Sequence, residues 1–286
     1  ENVKFSNLSR KKTLAAIEES LGKEASDEWD RVMVQAEAMW DVSREPFIES
    51  ELKSIASLLK RRSLIKDVFV IAPWKSIRGL AIKSPHLRKI LDRYATYSGS
   101  DPRVAPAVLS SIAFVEEAFG AWHVKGGLGS LASTLESRVR DLGVDIRFNA
   151  PVQSIDLENG IARGVTLKSG ERIQSDVVVA NADASIIYNS LLPPIRKTRS
   201  PRAALRKATP SLSGFSLLLG LRGTSSLGHH TVYFPENYDD EFDAIFKRKE
   251  PVPDPAIYIC APKDETMVQN PGDESIFVLV NAPLHE

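Results

Sequence analysis

The sequence AWHVKGGLGSLASTLESRVRDLGVDIRFN, residues 121–149, contains the glycine pattern on which the fold prediction for this chain depends. Gly127-x-Gly129-x-x-Ala132 has the spacing that opens dinucleotide-binding βαβ units, in which a glycine turn joins a strand to a helix. The residues after the turn predict a helix over 130–142. The first question is therefore whether a nucleotide pyrophosphate binds at this turn.

A dinucleotide fingerprint requires a buried strand before the glycines and an acidic residue at the end of the next strand. Residues 119–124 make a poor buried strand, because they include a glycine and a histidine. The next predicted strand, 144–148, is followed by Asn149 and Ala150, and its one carboxylate, Asp145, lies near its start. The pattern alone leaves open both a nucleotide-binding turn and an ordinary tight turn into a helix.

Composition limits the classes of function. The 286 residues include 37 Lys and Arg against 37 Asp and Glu, so nothing indicates a general attraction to nucleic acid. Cys260 is the only cysteine, which excludes an intramolecular disulfide and favours a cytoplasmic location. No apolar run approaches the roughly 20 residues that span a bilayer. The sequence starts at Glu1 with no leader pattern, which suggests an interior piece of a longer protein.

The chain is predicted to have an α/β fold, α+β overall, in three regions. Residues 1–118 are predicted to be helical from the spacing of their apolar residues, with Ser26 capping the second helix. Residues 119–195 combine a helix, a hairpin and an apolar strand over 177–180. Residues 196–286 begin with a basic run that is expected to be an exposed crossing and continue as an antiparallel sheet. The strands of this sheet are predicted at 215–221, 231–234, 256–260 and 275–280.

A longer series of motifs resembles a known family. The segment GGLGSLASTLESRVRDLGVDIRFNAPVQSIDLENGIARGVTLKSGERIQSDVVVANAD, residues 126–183, is similar to the interior of FAD-dependent carotenoid desaturases of the phytoene desaturase type. The resemblance includes LDRYATYSGSDPRVAPA and FVEEAFGAWHVKGG upstream, and HHTVYFPENYDDEFDAIF, PDPAIYICAPKDET and FVLVNAPLH downstream. It covers the chain from about Leu87 to the end.

The resemblance implies an FAD-dependent oxidoreductase that acts on CH–CH bonds. Residues 1–118 would form a helical lid that contacts substrate and membrane, 119–195 part of the FAD-binding α/β domain, and 196–286 an incomplete antiparallel-sheet substrate domain. In this family the pyrophosphate-binding glycines lie near the N-terminus of the whole protein, and a Gly-rich flavin segment closes it. Neither is found in this sequence, so the resemblance implies an interior fragment that on its own is expected not to bind FAD tightly.

The resemblance also assigns cofactor-binding residues. The glycine turn would begin a helix near the flavin, and a strand from Val152 would lie beside the adenine, although Val152 is equally an ordinary sheet residue. Small and polar residues at the end of a strand permit close approach to a flat cofactor, but Asp183 also suits a helix cap. The residues expected to lie near FAD are Gly126, Gly127, Gly129, Val152, Asn181, Ala182 and Asp183.

The expected substrate is a long apolar polyene such as phytoene, whose electrons would pass through the flavin to a quinone or to oxygen. The walls of the polyene-binding channel are expected to include Trp122, Phe215, Leu219 and Tyr233. The alternative role for these residues is core packing. Strand alternation would point only one of the adjacent His229 and His230 inward. Without further ligands they make a poor metal site, and structural or surface roles are favoured over a role in proton transfer. No catalytic base is identified.

A membrane contact is predicted from residues 52–79, because an apolar stripe there is combined with basic residues and Trp74. The alternative is a solvated helix that covers the core. The basic residues of this segment are Lys53, Lys60, Arg61, Arg62, Lys66, Lys75 and Arg78.

The preferred function is therefore desaturation of a polyene in carotenoid biosynthesis by a peripheral membrane flavoprotein. Related flavoprotein activities remain open, namely those of saturases, isomerases, ketolases and amine oxidases, because fold does not fix chemistry. A non-catalytic remnant that binds an apolar ligand also remains open, as does a nicotinamide-dependent dehydrogenase that uses residues 127–132.

Overall fold

The computed structural model describes residues 3, 5, 9–51 and 64–284. The chain forms two compact units, Glu1–Ser130 with Ser211–Glu286, and Leu131–Pro210. The helices are α1 (Arg10–Leu21), α2 (Lys23–Arg44), α3 (Leu64–Ile71), α4 (Pro85–Arg93), α5 (Ser111–Phe119), α6 (Gly127–Asp141), α7 (Ala184–Ile186), α8 (Arg196–Leu205) and α9 (Tyr238–Phe242). The strands are β1 (Val152–Glu158), β2 (Ile161–Leu167), β3 (Arg172–Gln174), β4 (Ser213–Leu221), β5 (His230–Tyr233), β6 (Ile257–Cys260) and β7 (Glu274–Ala282). The division into three regions at residues 118 and 195 stays a prediction.

The first two helices meet at a glycine. Ser9 caps α1, its hydroxyl accepting a hydrogen bond from the backbone N–H of Lys12 at 3.4 Å. Gly22 ends α1 with φ +86°, a backbone conformation that favours glycine because it has no Cβ. The prediction that Ser26 caps the second helix is wrong, because α2 already begins at Lys23. The buried Ser26 hydroxyl instead donates to the carbonyl of Leu14 on α1, at 3.0 Å.

α2 lies at the centre of the helical core of the first unit. The indole N–H of Trp29 donates to Oε2 of Glu117 on α5 at 3.3 Å, and Arg10 on α1 also pairs with Glu117. This carboxylate therefore ties three helices together without leaving a buried charge unpaired. The fully or almost fully buried apolar side chains of this core include Ile17, Trp29, Met33, Met39, Ile77, Leu87 and Leu91.

The first unit also contains a four-stranded antiparallel sheet in the order β4-β7-β6-β5. All four strands agree with the predicted ones to within two residues at either end. β4 and β5 form the edges, and β7 pairs with β4 along nine residues. Because paired residues of neighbouring strands project to the same face, the register fixes which side chains share a surface.

The second unit is built on the three-stranded sheet β1-β2-β3. The hairpin between β1 and β2 turns at Asn159 and Gly160, which have φ of +54° and +75°. This pair matches the two positive φ angles of the tight hairpin turn that the sequence ENG predicts. Gly164 on β2 has φ +149°, and a Cβ there would overlap the carbonyl oxygen of Ile173 on β3, so glycine permits this close pairing.

Two local predictions are wrong. Residues 144–148 and 177–180 form no strands, although their composition favours them. Both segments lie open, Val179 being 88% exposed, and neither pairs with another strand among the described residues. β propensity describes a fit to a paired, half-buried surface, so it does not make a strand without a partner. The basic run that was predicted to be an exposed crossing is mostly exposed and forms α8, and its role as a crossing stays a prediction. In the first turn of α8 the hydroxyl of Thr198 accepts from the N–H of Ile195 at 3.1 Å.

Candidate functional site

In the glycine turn at the start of α6, two of the three glycines have a backbone conformation that favours glycine. Gly126 and Gly127 have φ of +80° and +77°, and the N–H of Gly127 donates to the carbonyl of Val124 at 2.8 Å. Gly129 has no positive φ, and a Cβ added to it would meet no atom within 4 Å. The first two glycines therefore shape the turn, and the third leaves open space beside the helix.

The turn is held by a carboxylate of the chain itself. Oδ2 of Asp264 accepts from the backbone N–H of Gly126 at 2.7 Å and lies 2.8 Å from Nε2 of His123. Its Oδ1 accepts from the N–H of Thr266 at 2.9 Å. These bonds, those from Thr266 first, hold the pKa of Asp264 well below its ordinary value. The groove beside this carboxylate encloses about 410 Å³ and includes Lys125 and Lys263.

This geometry argues against a pyrophosphate loop at the turn. The N–H of Gly126, which would be free for a phosphate in such a loop, is occupied by Asp264. No strand enters the turn from the described residues 119–126, and none follows α6 over 144–148. The turn therefore lacks the βαβ frame of a dinucleotide fingerprint, in agreement with the interpretation drawn from the family resemblance.

An array of rings extends from this carboxylate into the four-stranded sheet. The ring centroids of His123 and His229 are 5.4 Å apart, and those of His229 and His230 are 4.4 Å apart. Nδ1 of His230 lies 2.7 Å from the hydroxyl of Tyr258, and the guanidinium of Arg93 lies 4.9 Å from the centroid of the Tyr258 ring. Burial lowers the pKa of His229 and of His230, which favours neutral imidazoles.

Strand alternation does not by itself fix how His229 and His230 are oriented. β5 begins at His230, so His229 lies in the bend before the strand, where the period of two does not apply. Sequence reasoning also gave no role to His123, Tyr258 or Asp264. No local pattern indicates that these residues lie close together. Their proximity depends on the register of β5 with β6 and on the contact between His123 and Asp264, which are 141 positions apart.

Three of the predicted substrate-wall residues share one face of the four-stranded sheet. Phe215 on β4 pairs with Val280, Val280 pairs with Ile257, and Ile257 pairs with Tyr233 on β5. One row thus crosses all four strands, from one edge to the other. Leu219 lies four residues along β4 from Phe215 and therefore projects to the same face.

This face is apolar and largely uncovered in the described structure. Phe215 is 59% exposed, Tyr233 53% and Leu219 40%, and Leu217 shares their face. Trp122 is 86% exposed, and its indole N–H donates to the carbonyl of Phe119 at 3.0 Å. These side chains are therefore not packed in the core of the described residues, and their role as substrate walls stays a prediction.

The second unit holds the remaining predicted cofactor residues. Val152 is the half-buried first residue of β1 and pairs with Leu167. Asn181, Ala182 and Asp183 follow the irregular segment and are exposed. Asp183 does act as a helix cap, its Oδ1 accepting from the N–H of Ser185 at 2.8 Å.

Comparison with known proteins assigns the chain to a family. Residues 15–223 match the sequence model of the flavin containing amine oxidoreductases, and the chain belongs to this family. A crystal structure of an oxidoreductase from Methanosarcina mazei matches 80% of this chain and 52% of its own, with a TM-score of 0.53 and 17% identity. This match supports the α/β fold.

Among curated relatives, the chain is similar to carotenoid desaturases. It is 32% identical to the hydroxyneurosporene desaturase of Rubrivivax gelatinosus over 96% of this chain and 53% of that protein. It is 36% identical to the zeta-carotene-forming phytoene desaturase of Myxococcus xanthus over 69% of this chain and 38% of that protein. The resemblance drawn from the sequence motifs is therefore confirmed. The chain spans about half the length of the curated relatives it matches.

Proposed function

We propose that the protein carrying this sequence desaturates a long apolar polyene, such as phytoene, with FAD as the hydride acceptor. The family contains flavin, and the similar curated proteins are named as desaturases of phytoene, zeta-carotene and hydroxyneurosporene. Removal of hydrogen from a CH–CH bond needs a hydride acceptor, and a bound flavin supplies one. The chain itself contributes the surfaces that position the substrate and exclude water.

The observation that carries this proposal is the uncovered apolar face of the four-stranded sheet. A polyene has no group to hydrogen-bond, so its binding depends on burial of apolar surface, at roughly 25 cal/mol per Å². The row from Phe215 to Tyr233 offers such a surface across the full width of the sheet. Exposed apolar surface of this kind indicates a site for an apolar ligand or partner.

The residues proposed to lie near FAD are compatible with a flat cofactor. Gly129 has open space where a side chain would stand, and Asn181 and Ala182 present small, exposed groups after an uncovered apolar segment. Gly126 and Gly127 shape the turn, Val152 presents the β1 backbone, and Asp183 fixes the start of α7. Their roles in flavin binding belong to the proposal.

The proposed partners include the membrane surface, from which the substrate is taken, and a quinone or oxygen as the electron acceptor. No helix in the described part of the chain is long and apolar enough to cross a membrane. α3 exposes Ile65 and Phe69, and the Phe69 ring packs edge-on against Trp74 at 5.7 Å. Exposed Lys66 and Lys75 lie in the same segment, as in helices that lie at anionic bilayer surfaces.

The predicted membrane segment contributes fewer cations than its sequence suggests. Arg78 is an internal ion-pair partner, with Nε 2.7 Å from Asp92 and Nη2 2.5 Å from Asp239, so it is not available to lipid. Lys53, Lys60, Arg61 and Arg62 lie outside the described residues.

Oxidation of an amine is a second candidate, because the description of the family names that activity. The experiment that separates the candidates is product analysis by mass spectrometry. The longest reading frame that encodes the chain is expressed, and the protein is supplied with FAD and, in separate reactions, with phytoene in lipid vesicles or with an amine. Desaturation predicts products that have lost pairs of hydrogens. Products of unchanged mass, of added hydrogen or of added oxygen would indicate an isomerase, a saturase or a ketolase instead.

A further inference from the structure

Three potential metal ligands converge where β5 meets β6. His230 is the cross-strand partner of Cys260, and His229 directly precedes β5, its carbonyl accepting from the N–H of Ala261 at 2.9 Å. One ligand atom from each of His229, His230 and Cys260 lies within 4.8 Å of the others. The cluster is thus built from two adjacent strands and is fixed by their register.

His229 supplies a second, independent observation. Both of its ring nitrogens are buried, and neither has a hydrogen-bond partner among the described residues. Buried polar side-chain atoms are satisfied in the large majority of cases, and an unsatisfied one commonly marks an ion or a water. A neutral imidazole without a partner retains a lone pair that can bind a metal.

We infer that His229, His230 and Cys260 form a binding site for a transition metal ion of the Zn²⁺ class. Two imidazoles and a thiolate are donors that zinc prefers, whereas Mg²⁺ and Ca²⁺ require oxygen ligands. With metal–ligand distances of about 2.0–2.3 Å, the three donor atoms contract toward one another by small side-chain rotations. Three protein ligands leave a fourth position open to water or to a further ligand.

Neighbouring side chains contact these three residues in a way that can orient them as metal ligands. If Nδ1–H of His230 donates to the Tyr258 hydroxyl, 2.7 Å away, then Nε2 keeps its lone pair for the metal. The Tyr258 hydroxyl also interacts with Cys260, and Arg93 lies over the Tyr258 ring. On the other side, His123, held by Asp264, packs against His229. Such outer contacts orient metal ligands in known sites.

A metal bound here would join β5 to β6 at one end of the strand pair. It would bind the folded chain far better than the unfolded one, and so would raise the stability of the fold by mass action. The inference is independent of the proposed desaturation, because it involves no flavin and no polyene.

The test uses the 286-residue chain after removal of metal with a chelator, titrated with Co²⁺ and then with Zn²⁺. Because Cys260 is the only cysteine, a thiolate-to-cobalt absorption band can come from this residue alone. We expect one Co²⁺ per chain, loss of the band on addition of Zn²⁺, and a rise in Tm with Zn²⁺. His229→Ala and Cys260→Ser are expected to lower the Zn²⁺ affinity at least about 10-fold. His86→Ala, which removes an imidazole outside the cluster, is the matched control and is expected to bind as the parent does.

A second readout needs no variant. Zn²⁺ is expected to slow the alkylation of Cys260 by iodoacetamide in the unchanged chain, whereas Mg²⁺ is not. The inference is overturned if the parent shows no thiolate band and no protection of Cys260. It is also overturned if His229→Ala binds Zn²⁺ as tightly as His86→Ala does.

Discussion

Phe215 and Tyr233 stand in one row of the four-stranded sheet, although they occupy its two opposite edge strands. The row passes through Val280 and Ile257, so its four side chains project to the same face. The histidine and cysteine cluster lies three rows away and on the other face, because His230 and Cys260 are each three residues from Tyr233 and Ile257 along their strands. The sheet therefore carries the row of Phe215 and Tyr233 on one face and the histidine and cysteine cluster on the other.

The apolar face should determine polyene binding. Leu219→Asn is predicted to lower the affinity for phytoene about 10-fold to 100-fold, the range expected for the loss of one buried aliphatic contact. Leu218→Asn is the matched control, because it makes the same change on the same strand but on the opposite face. Apparent KM for phytoene in vesicles is the measurement. Equal effects of the two substitutions would contradict the assignment of the substrate to this face.

The three glycines of the turn should respond differently to substitution by alanine. Gly126→Ala and Gly127→Ala are predicted to cost about 1–2 kcal/mol each in the free energy of unfolding, because both residues have positive φ. Gly129→Ala is predicted to be neutral or to stabilise by up to about 1 kcal/mol, since it adds a Cβ to a helix in open space. Urea unfolding measures all three.

The same series tests the role proposed for Gly129. If this open space accommodates the flavin, Gly129→Ala in the longest reading frame that encodes the chain weakens FAD binding without destabilising the fold. FAD affinity unchanged by Gly129→Ala would remove this residue from the proposed cofactor site.

Asp92 should give the first unit a distinctive pH dependence. Burial raises the pKa of this carboxyl to about 6, and Arg78 and Arg88 offset the effect only in part, while Asp239 adds to it. The folded state therefore holds this proton more tightly than the unfolded state, where the pKa is near 3.8. As pH rises from about 4 to about 6, ionisation of Asp92 is predicted to lower the free energy of unfolding by roughly 3 kcal/mol.

Asp92→Asn should remove that slope. The difference in unfolding free energy between the parent and the variant, measured by urea titration at pH 4, 5, 6 and 7, is expected to shift in favour of the variant as pH rises. A difference that does not change with pH would show that Asp92 titrates as an ordinary exposed carboxyl.

Membrane association should depend on the segment around α3. Reversal of charge at Lys66 and Lys75 is predicted to reduce co-sedimentation with anionic vesicles more than 10-fold, since each basic residue near such a surface contributes about 1 kcal/mol. Lys168→Glu with Lys207→Glu makes the same change in net charge at other exposed positions and serves as the control. If both pairs reduce binding equally, the attraction is a general charge effect and not a local contact.

Local signals were sufficient for much of the fold. The helix α6, the hairpin of β1 and β2 and the strands β4 to β7 were all predicted from local sequence patterns. Strands at 144–148 and 177–180 were predicted from composition alone and did not form, because a strand also requires a partner.

The candidate site was predictable only in part. Phe215, Leu219 and Tyr233 could be chosen as apolar side chains in strands, but their common face follows from the sheet register, which is a non-local property. The bond between His123 and Asp264 joins two loops that no periodicity connects. Alternation could not orient His229 relative to His230, because the strand begins only at His230.

The most direct test of the central claim is anaerobic reduction of the flavin by the polyene. The protein that carries this sequence, loaded with FAD and mixed with vesicles that contain phytoene, is predicted to lose its oxidised flavin absorbance as the desaturated product accumulates, one flavin for each new double bond. An amine added in place of phytoene is predicted to leave the flavin oxidised. Reduction by the amine, with none by the polyene, would contradict the account.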